Sequence, residues 1–94
     1  MAKFIMFSTL TEKGAKTIKQ KPDRIKEVNK EIEKMGGKIL EQYAILGPFD
    51  FLTIIEVENE KVAAKISLEF AQRGSVKITT YPAIDIDDFI NMVK

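Results

Sequence analysis

Three side chains in this sequence are of types that bind small polar molecules: Arg24, Tyr43 and Asp50. Arginine can hold a carboxylate through two hydrogen bonds, a tyrosine hydroxyl can donate one into a pocket, and aspartate can accept one from an amine. Each residue also has a structural interpretation, as a solvated helix charge, a strand aromatic or a turn residue bonded to nearby backbone. We predict these three as ligand-binding residues and assign no catalytic residue.

The sequence contains no cysteine and no histidine. This excludes disulfides, thiolate nucleophiles and zinc–thiolate sites, and it removes the commonest general base and transition-metal ligand. Asp85, Asp87 and Asp88 do not have the spacing of a calcium-binding loop. We predict that Asp85 caps a short helix whose first turn carries Asp87 and Asp88. We therefore expect no metal and no cofactor.

The charges are nearly balanced, with 15 Lys and Arg against 14 Asp and Glu, a net charge of +1. This balance argues against nucleic-acid binding and against a polybasic membrane anchor. The apolar run Phe4–Phe7 is too short for a signal peptide or a membrane span, so we predict a cytoplasmic protein. The abundance of Lys, Glu and Ile is typical of a thermophilic source.

The length is that of one domain, residues 1–94. Apolar and β-branched residues predict four strands, at 3–10, 38–46, 51–57 and 75–83. Apolar residues three and four apart predict a helix before Gly36-Gly37 and another after Asn59, with a short one after Asp85. Thr11–Gly14 reads as a break after the first strand, with only a weak helical pattern from Ala15.

The predicted order is β-α-β-β-α-β with a C-terminal helix, which is the ferredoxin-like arrangement of an α+β protein. Right-handed crossovers give an antiparallel sheet with the strand order 4-1-3-2. The first and third strands are apolar on both faces, as central strands should be.

Both crossover helices cover the same face of such a sheet, so its other face remains apolar. Either Phe4 and Met6 or Ile5 and Phe7 point to that open face; the pattern alone does not choose between the two pairs. A large exposed apolar patch usually marks an interface, so we predict a homodimer with the two sheets face to face. The alternative is that the C-terminal helix folds over the open face.

Several short motifs together resemble the GYD-domain family of small bacterial and archaeal proteins. They are Thr11-Glu12-Lys13-Gly14, Lys19, Pro22, Arg24, Gly36-Gly37-Lys38, Tyr43, Gly47-Pro48-Phe49-Asp50 and Glu56. The resemblance runs from Phe4 to about Phe89 and implies a dimeric α/β barrel. Phe49 stands where the Gly-Tyr-Asp signature of the family has tyrosine, so a role for that phenol is not expected here.

The hairpin from Gly47 to Val57 is also similar to the effector-binding module of leucine-responsive-type regulators, which implies a small-molecule site between subunits. We therefore predict an oligomeric module that binds or senses a small molecule at a sheet–helix or subunit-interface pocket. Two alternatives are a cofactor-independent monooxygenase- or isomerase-like enzyme and a structural subunit of a larger assembly.

Overall fold

The computed structural model describes residues 1–94 and contains four strands and four helices. In chain order they are β1 (Ala2–Leu10), α1 (Glu12–Gln20), α2 (Arg24–Lys34), β2 (Lys38–Ala44), β3 (Phe51–Val57), α3 (Glu60–Ala71), β4 (Val76–Ala83) and α4 (Ile86–Val93). The strands form one antiparallel sheet in the order β2-β3-β1-β4. This is the predicted order read from the opposite edge, so the ferredoxin-like α+β fold is confirmed.

The hydrophobic core lies between one face of the sheet and the helices. Its buried members are Phe4, Met6, Ile32, Ile55, Val57, Ala63, Ile66 and Phe70. The predicted stripe of α3 supplies part of this set, and the Asn59 side chain caps that helix as predicted by accepting from the amide of Lys61 at 3.0 Å. The helix predicted after Asn59 from the spacing of its apolar residues is therefore confirmed, and those residues lie in the core.

The first helix begins earlier than predicted, because Thr11–Gly14 is a helix start and not a break. The Thr11 hydroxyl accepts a hydrogen bond from the amide of Gly14 at 3.1 Å and donates one to the carbonyl of Gly74 at 2.8 Å. A Cβ atom on Gly14 would collide with the carbonyl oxygen of Ser75. Glycine is needed here for the close approach of α1 to the start of β4, which is a tertiary requirement.

The end of α2 agrees with the prediction. Gly36 has a positive φ of 100°, and its amide and that of Gly37 donate to the carbonyls of Glu33 and Ile32. These two bonds form a Schellman cap, in which a glycine with positive φ satisfies the last carbonyls of a helix.

The second face of the sheet, which we call the open face, has no helix packed on it. It presents Ile5, Phe7, Leu52 and Ile54 from the two central strands, since their neighbours point into the core. The apolar side chains of α4 are themselves 42–69% exposed, so α4 does not cover this face within one chain.

The Asp85 side chain does not cap α4, contrary to the prediction. It accepts no bond from the helix and instead pairs with the Lys3 ammonium at 2.6 Å. This hydrogen bond, followed by the charge of Asp85, raises the pKa of Lys3. The salt bridge attaches the start of α4 to β1 beside the open face.

No helix in the structure is both long enough and apolar enough to cross a lipid bilayer.

Candidate functional site

A cleft opens between the sheet and the helices at the end of the molecule where β1 finishes and β3 and β4 begin. Its volume is about 130 Å³, and the remaining wall comes from α1, α2, the end of α3 and Gln42 of β2. Met6 and Phe70 of the core form its inner side, and Val28 and Phe51 line it while remaining only partly buried. The core is thus closed at one end of the sheet and open at the other.

Three polar side chains of this cleft form one hydrogen-bonded cluster. The amides of Asn29 and Gln42 bond each other in both directions, at 2.8 and 3.1 Å, and Gln42 also donates to the Thr53 hydroxyl at 3.1 Å. Thr53 is the buried polar residue of the central strands. The cluster ties α2 to β2 and β3 and places polar groups in a largely apolar wall.

A network of salt bridges crosses from α2 to α3 beside the cleft. Arg24 contacts Glu27 and Glu31, both at 3.1 Å, and Arg73 contacts Glu31 at 2.6 Å and Glu69 at 3.0 Å. Burial acts to raise the pKa of Glu31, but the bond and charge of Arg73, with those of Arg24, outweigh it and hold that pKa below its usual value. Glu31 therefore stays ionised between the two guanidinium groups.

The structure separates the three predicted ligand-binding residues. Arg24 lines the cleft, whereas Tyr43 lies on the open face with 52% of its surface exposed. Asp50 lies before β3, where its carboxylate accepts from the amide of Leu10 at 2.8 Å. The Gly47–Asp50 turn is thereby attached to the end of β1, and Arg24 is the predicted residue that the fold brings to the cleft.

The sequence reasoning missed the polar cluster. Thr53 and Gln42 pair across β3 and β2, at positions that point towards the helices. A signal was present, because Thr53 is a polar residue between Leu52 and Ile54 in an otherwise apolar central strand. Asn29, one turn after Ile25 on the buried side of α2, carried a similar signal.

Aromatic side chains gather on the open face. The ring of Phe7 lies 4.7 Å from that of Phe49 and 5.9 Å from that of Tyr81, measured between centroids. Phe49 of the turn thus packs on the sheet, which is a contact that needs no phenol hydroxyl. The open face is consequently apolar at its centre.

The chemistry offered by the cleft is hydrogen bonding and apolar contact. Its charged lining residues are the two arginines, and its remaining polar groups are hydroxyls and amides. No group of three or more acidic side chains lies close enough together to hold a metal ion. The arrangement is a mostly apolar cleft with a few polar groups in a small ferredoxin-like α+β protein.

The family follows from comparison with known proteins. The profile of the GYD domain matches residues 4–93, so the chain belongs to the GYD-domain family. A relative from Thermus thermophilus, described as glutamine synthetase and cystathionine beta-lyase binding protein, is 46% identical over 95 residues, covering all of both chains. The resemblance to the GYD-domain family noted in the sequence is therefore confirmed.

Two solved structures are similar in shape. One is a dimeric ferredoxin-like protein from an uncultured marine organism, with 9% identity and a TM-score of 0.47 over 92% of this chain and 95% of that one. The other is a de novo designed protein with a ferredoxin fold, with 14% identity and a TM-score of 0.43 over 90% and 86% of the two chains.

Proposed function

We propose that this chain is a small binding protein that pairs with a second copy of itself and binds glutamine synthetase, cystathionine β-lyase or both. The observation that carries the proposal is the 46% identity, over the full length of both chains, to the relative named for binding these two enzymes. The cytoplasmic location and the thermophilic source predicted from the sequence remain predictions within this proposal.

The exposed surface supports the pairing of two copies. The chain exposes 6650 Å², whereas a monomer of 10.7 kDa is expected to expose about 5,500 Å². The excess of about 1,100 Å² is comparable to the roughly 800 Å² that one partner buries in a standard protein interface. The radius of gyration of 14.0 Å likewise exceeds the roughly 12.4 Å expected for this length.

The open face also has the make-up of an interface. Its centre is apolar and aromatic, with Phe7, Leu52 and Ile54, while Lys3 and Glu56 pair across the strands at its margin. An apolar centre within a polar rim is typical of protein interfaces. In addition, α4 has eight residues, and a helix this short is marginal in water unless its apolar side packs on something. A second copy would cover both features.

The test of enzyme binding uses the purified chain immobilised on a sensor and the two enzymes from the same source organism in solution. We expect saturable binding of at least one enzyme at micromolar concentrations. Phe89→Glu on α4 and Leu68→Glu on α3 are matched substitutions of exposed apolar residues, since Leu68 is 70% exposed on the helix layer. Comparing the affinities of these two variants for the enzyme shows whether binding depends on α4 or on the helix layer. Failure of the folded wild-type chain to bind either enzyme would contradict the proposal.

A second candidate function is small-molecule binding, which the sheet–helix cleft favours. The cleft is concave and mostly apolar with a few polar groups, which is the usual make-up of a ligand site. Arg24 is its proposed ligand-binding residue. Tyr43 and Asp50 stay predicted ligand-binding residues, for the alternative in which the pocket lies at the subunit interface.

A further inference from the structure

We propose that the cleft binds a monocarboxylate with a compact apolar body, such as an aromatic or branched-chain acid. This inference rests on the small-molecule candidate above and adds the chemical class of the ligand. The relative's name assigns it only protein partners, so the carboxylate site is a separate function of the chain.

The size of the cleft limits the apolar part of the ligand. Its volume is about 130 Å³, and an apolar cavity of about 150 Å³ accommodates one benzene molecule. Met6, Val28, Phe51 and Ile78 supply apolar contacts from both layers. The ligand body should therefore be a ring or branched chain of about six carbon atoms.

The charges of the cleft favour a carboxylate over an amine. Arg24 and Arg73 are the charged residues of the lining. The glutamates that pair with them, Glu27, Glu31 and Glu69, lie outside the lining. A ligand amine would therefore find no carboxylate in the lining to pair with, whereas a ligand carboxylate would find guanidinium donors.

The two arginines differ in their free donors. Arg73 uses Nε, Nη1 and Nη2 in contacts with Glu69 and Glu31, and its guanidinium lies 4.5 Å from the centroid of the Phe70 ring. Arg24 contacts Glu27 and Glu31 through Nη1, and its Nε and Nη2 donate no hydrogen bond within the chain. These two donors remain available, and the two glutamates hold the guanidinium in place. Arg24 is therefore the proposed carboxylate-binding residue.

Two hydroxyls supply further donors. The Thr53 hydroxyl oxygen accepts from Gln42, which leaves its own proton free for an acceptor on the ligand. Ser8 lines the same cleft, and its hydroxyl makes no hydrogen bond within the chain. Every buried side-chain nitrogen or oxygen atom in the chain does have a hydrogen-bond partner. The Ser8 hydroxyl is therefore not buried, and it faces the accessible space of the cleft. These hydroxyls complement the oxygens of a carboxylate.

The experiment uses three probes with the same ring and different charges: benzoate, benzamide and benzylamine. Each is titrated at pH 7.5 into the full-length chain while two-dimensional amide NMR spectra are recorded. We expect benzoate to shift the amide signals of cleft residues such as Thr17, Val28 and Thr53 saturably, and to bind at least fivefold more tightly than the other two probes.

Two substitutions test the assigned groups. Arg24→Gln should weaken benzoate binding about tenfold and leave benzamide binding within twofold, because it removes a charged donor. Lys26→Gln is the matched control, since Lys26 is exposed on α2 outside the cleft. Ser8→Ala provides a second test in case Arg24→Gln disturbs the fold, and it should weaken benzoate binding about threefold.

The outcomes separate the two proposals. Tighter binding of benzamide or benzylamine than of benzoate would overturn the carboxylate assignment and leave small-molecule binding intact. Absence of cleft shifts with all three probes at millimolar concentration would overturn both. Unchanged benzoate affinity in both Arg24→Gln and Ser8→Ala would show that the carboxylate binds elsewhere.

Discussion

The two faces of the sheet carry similar side chains in different surroundings. On the helix side, Ile55 and Val57 are completely buried. On the open side, Phe7, Leu52 and Ile54 belong to the same central strands, yet they stay partly exposed because no helix of the same chain packs on them. Apolar residues of one type therefore form a core on one side and an unpartnered surface on the other.

This difference shows that residue type alone does not decide which surface becomes the core. Strands alternate their side chains between faces, so adjacent residues such as Ile54 and Ile55 have opposite surroundings. One of them stabilises the monomer, and the other is available for assembly. Paired substitutions at these neighbours test the comparison directly.

The largest effect is expected from Ile55→Asp. Ile55 is fully buried, and a carboxylate there would have no partner, which costs at least about 4 kcal/mol. This is close to the total stability of a small domain. We expect no cooperative thermal transition by circular dichroism at neutral pH. A transition within about 5 °C of wild type would show that the two faces do not differ as described.

The next effect is expected from Ile54→Asp, on the open face. We expect the wild type to sediment as a dimer and the variant to keep wild-type secondary structure but sediment as a monomer, because two carboxylates would be buried between the sheets. Leu68→Asp is the control, since Leu68 is exposed on α3, away from the sheet. A wild-type chain that is monomeric at micromolar concentration would refute pairing through the open face.

A smaller effect is expected where the Gly47–Asp50 turn meets β1. Asp50→Ala leaves the Leu10 amide without its acceptor and should lower the free energy of unfolding by about 1–2 kcal/mol. Asp50→Asn keeps a side-chain oxygen and should cost less than half as much. The free energies of unfolding are measured by chemical denaturation. Equal losses in Asp50→Ala and Asp50→Asn would indicate that the charge of Asp50, and not its hydrogen bond, stabilises the fold.

The smallest effect is expected in the pH dependence of stability, through Glu31 on the helix side of the sheet. The pKa of Glu31 is lower in the folded chain than its value of about 4.3 in the unfolded chain. Its contribution to stability is therefore present above about pH 4.3 and is lost as the pH falls through the lowered folded value. Partly exposed salt bridges contribute less than about 1 kcal/mol, so the change is small.

Melting temperatures of wild type and Glu31→Gln, measured from pH 7 to pH 3, test this expectation. The wild type should melt a few degrees higher at pH 7, and the difference should shrink below about pH 4. A difference that is constant across this range would mean that the ionised carboxylate is not what joins α2 to α3.

Much of the fold was predictable because its signals are local. The apolar stripe of α3, the Asn59 cap and the Gly36-Gly37 end of α2 each depend on a few neighbouring residues. Thr11 carried a local signal that the sequence reasoning missed, since its capping bond comes from the amide of Gly14, three residues on. Only its bonds to the carbonyls of Gly74 and Ser75 join residues more than sixty positions apart. Asp85 was misread because its partner Lys3 lies at the other end of the chain.

The candidate site was less predictable than the fold. Arg24 was identified by its chemistry, but Gln42 and Thr53 became cleft residues only when β2 paired with β3 and α2 packed over them. Tyr43 was predicted as a ligand-binding residue, but the alternation of β2 turns it to the open face, away from the cleft. A shift of one residue in pairing would have reversed these positions.

The local pattern of residue types specifies the order of the strands along the chain, the antiparallel sheet order and an excess of apolar surface that one layer of helices cannot cover. Those properties follow from the periodicity of apolar residues along short segments. The facing of β1, with Phe4 and Met6 towards the helices and Ile5 and Phe7 outward, was settled by three-dimensional packing. Both pairs are apolar, so the pattern is equally satisfied in either register, and the packing of distant segments had to choose between them.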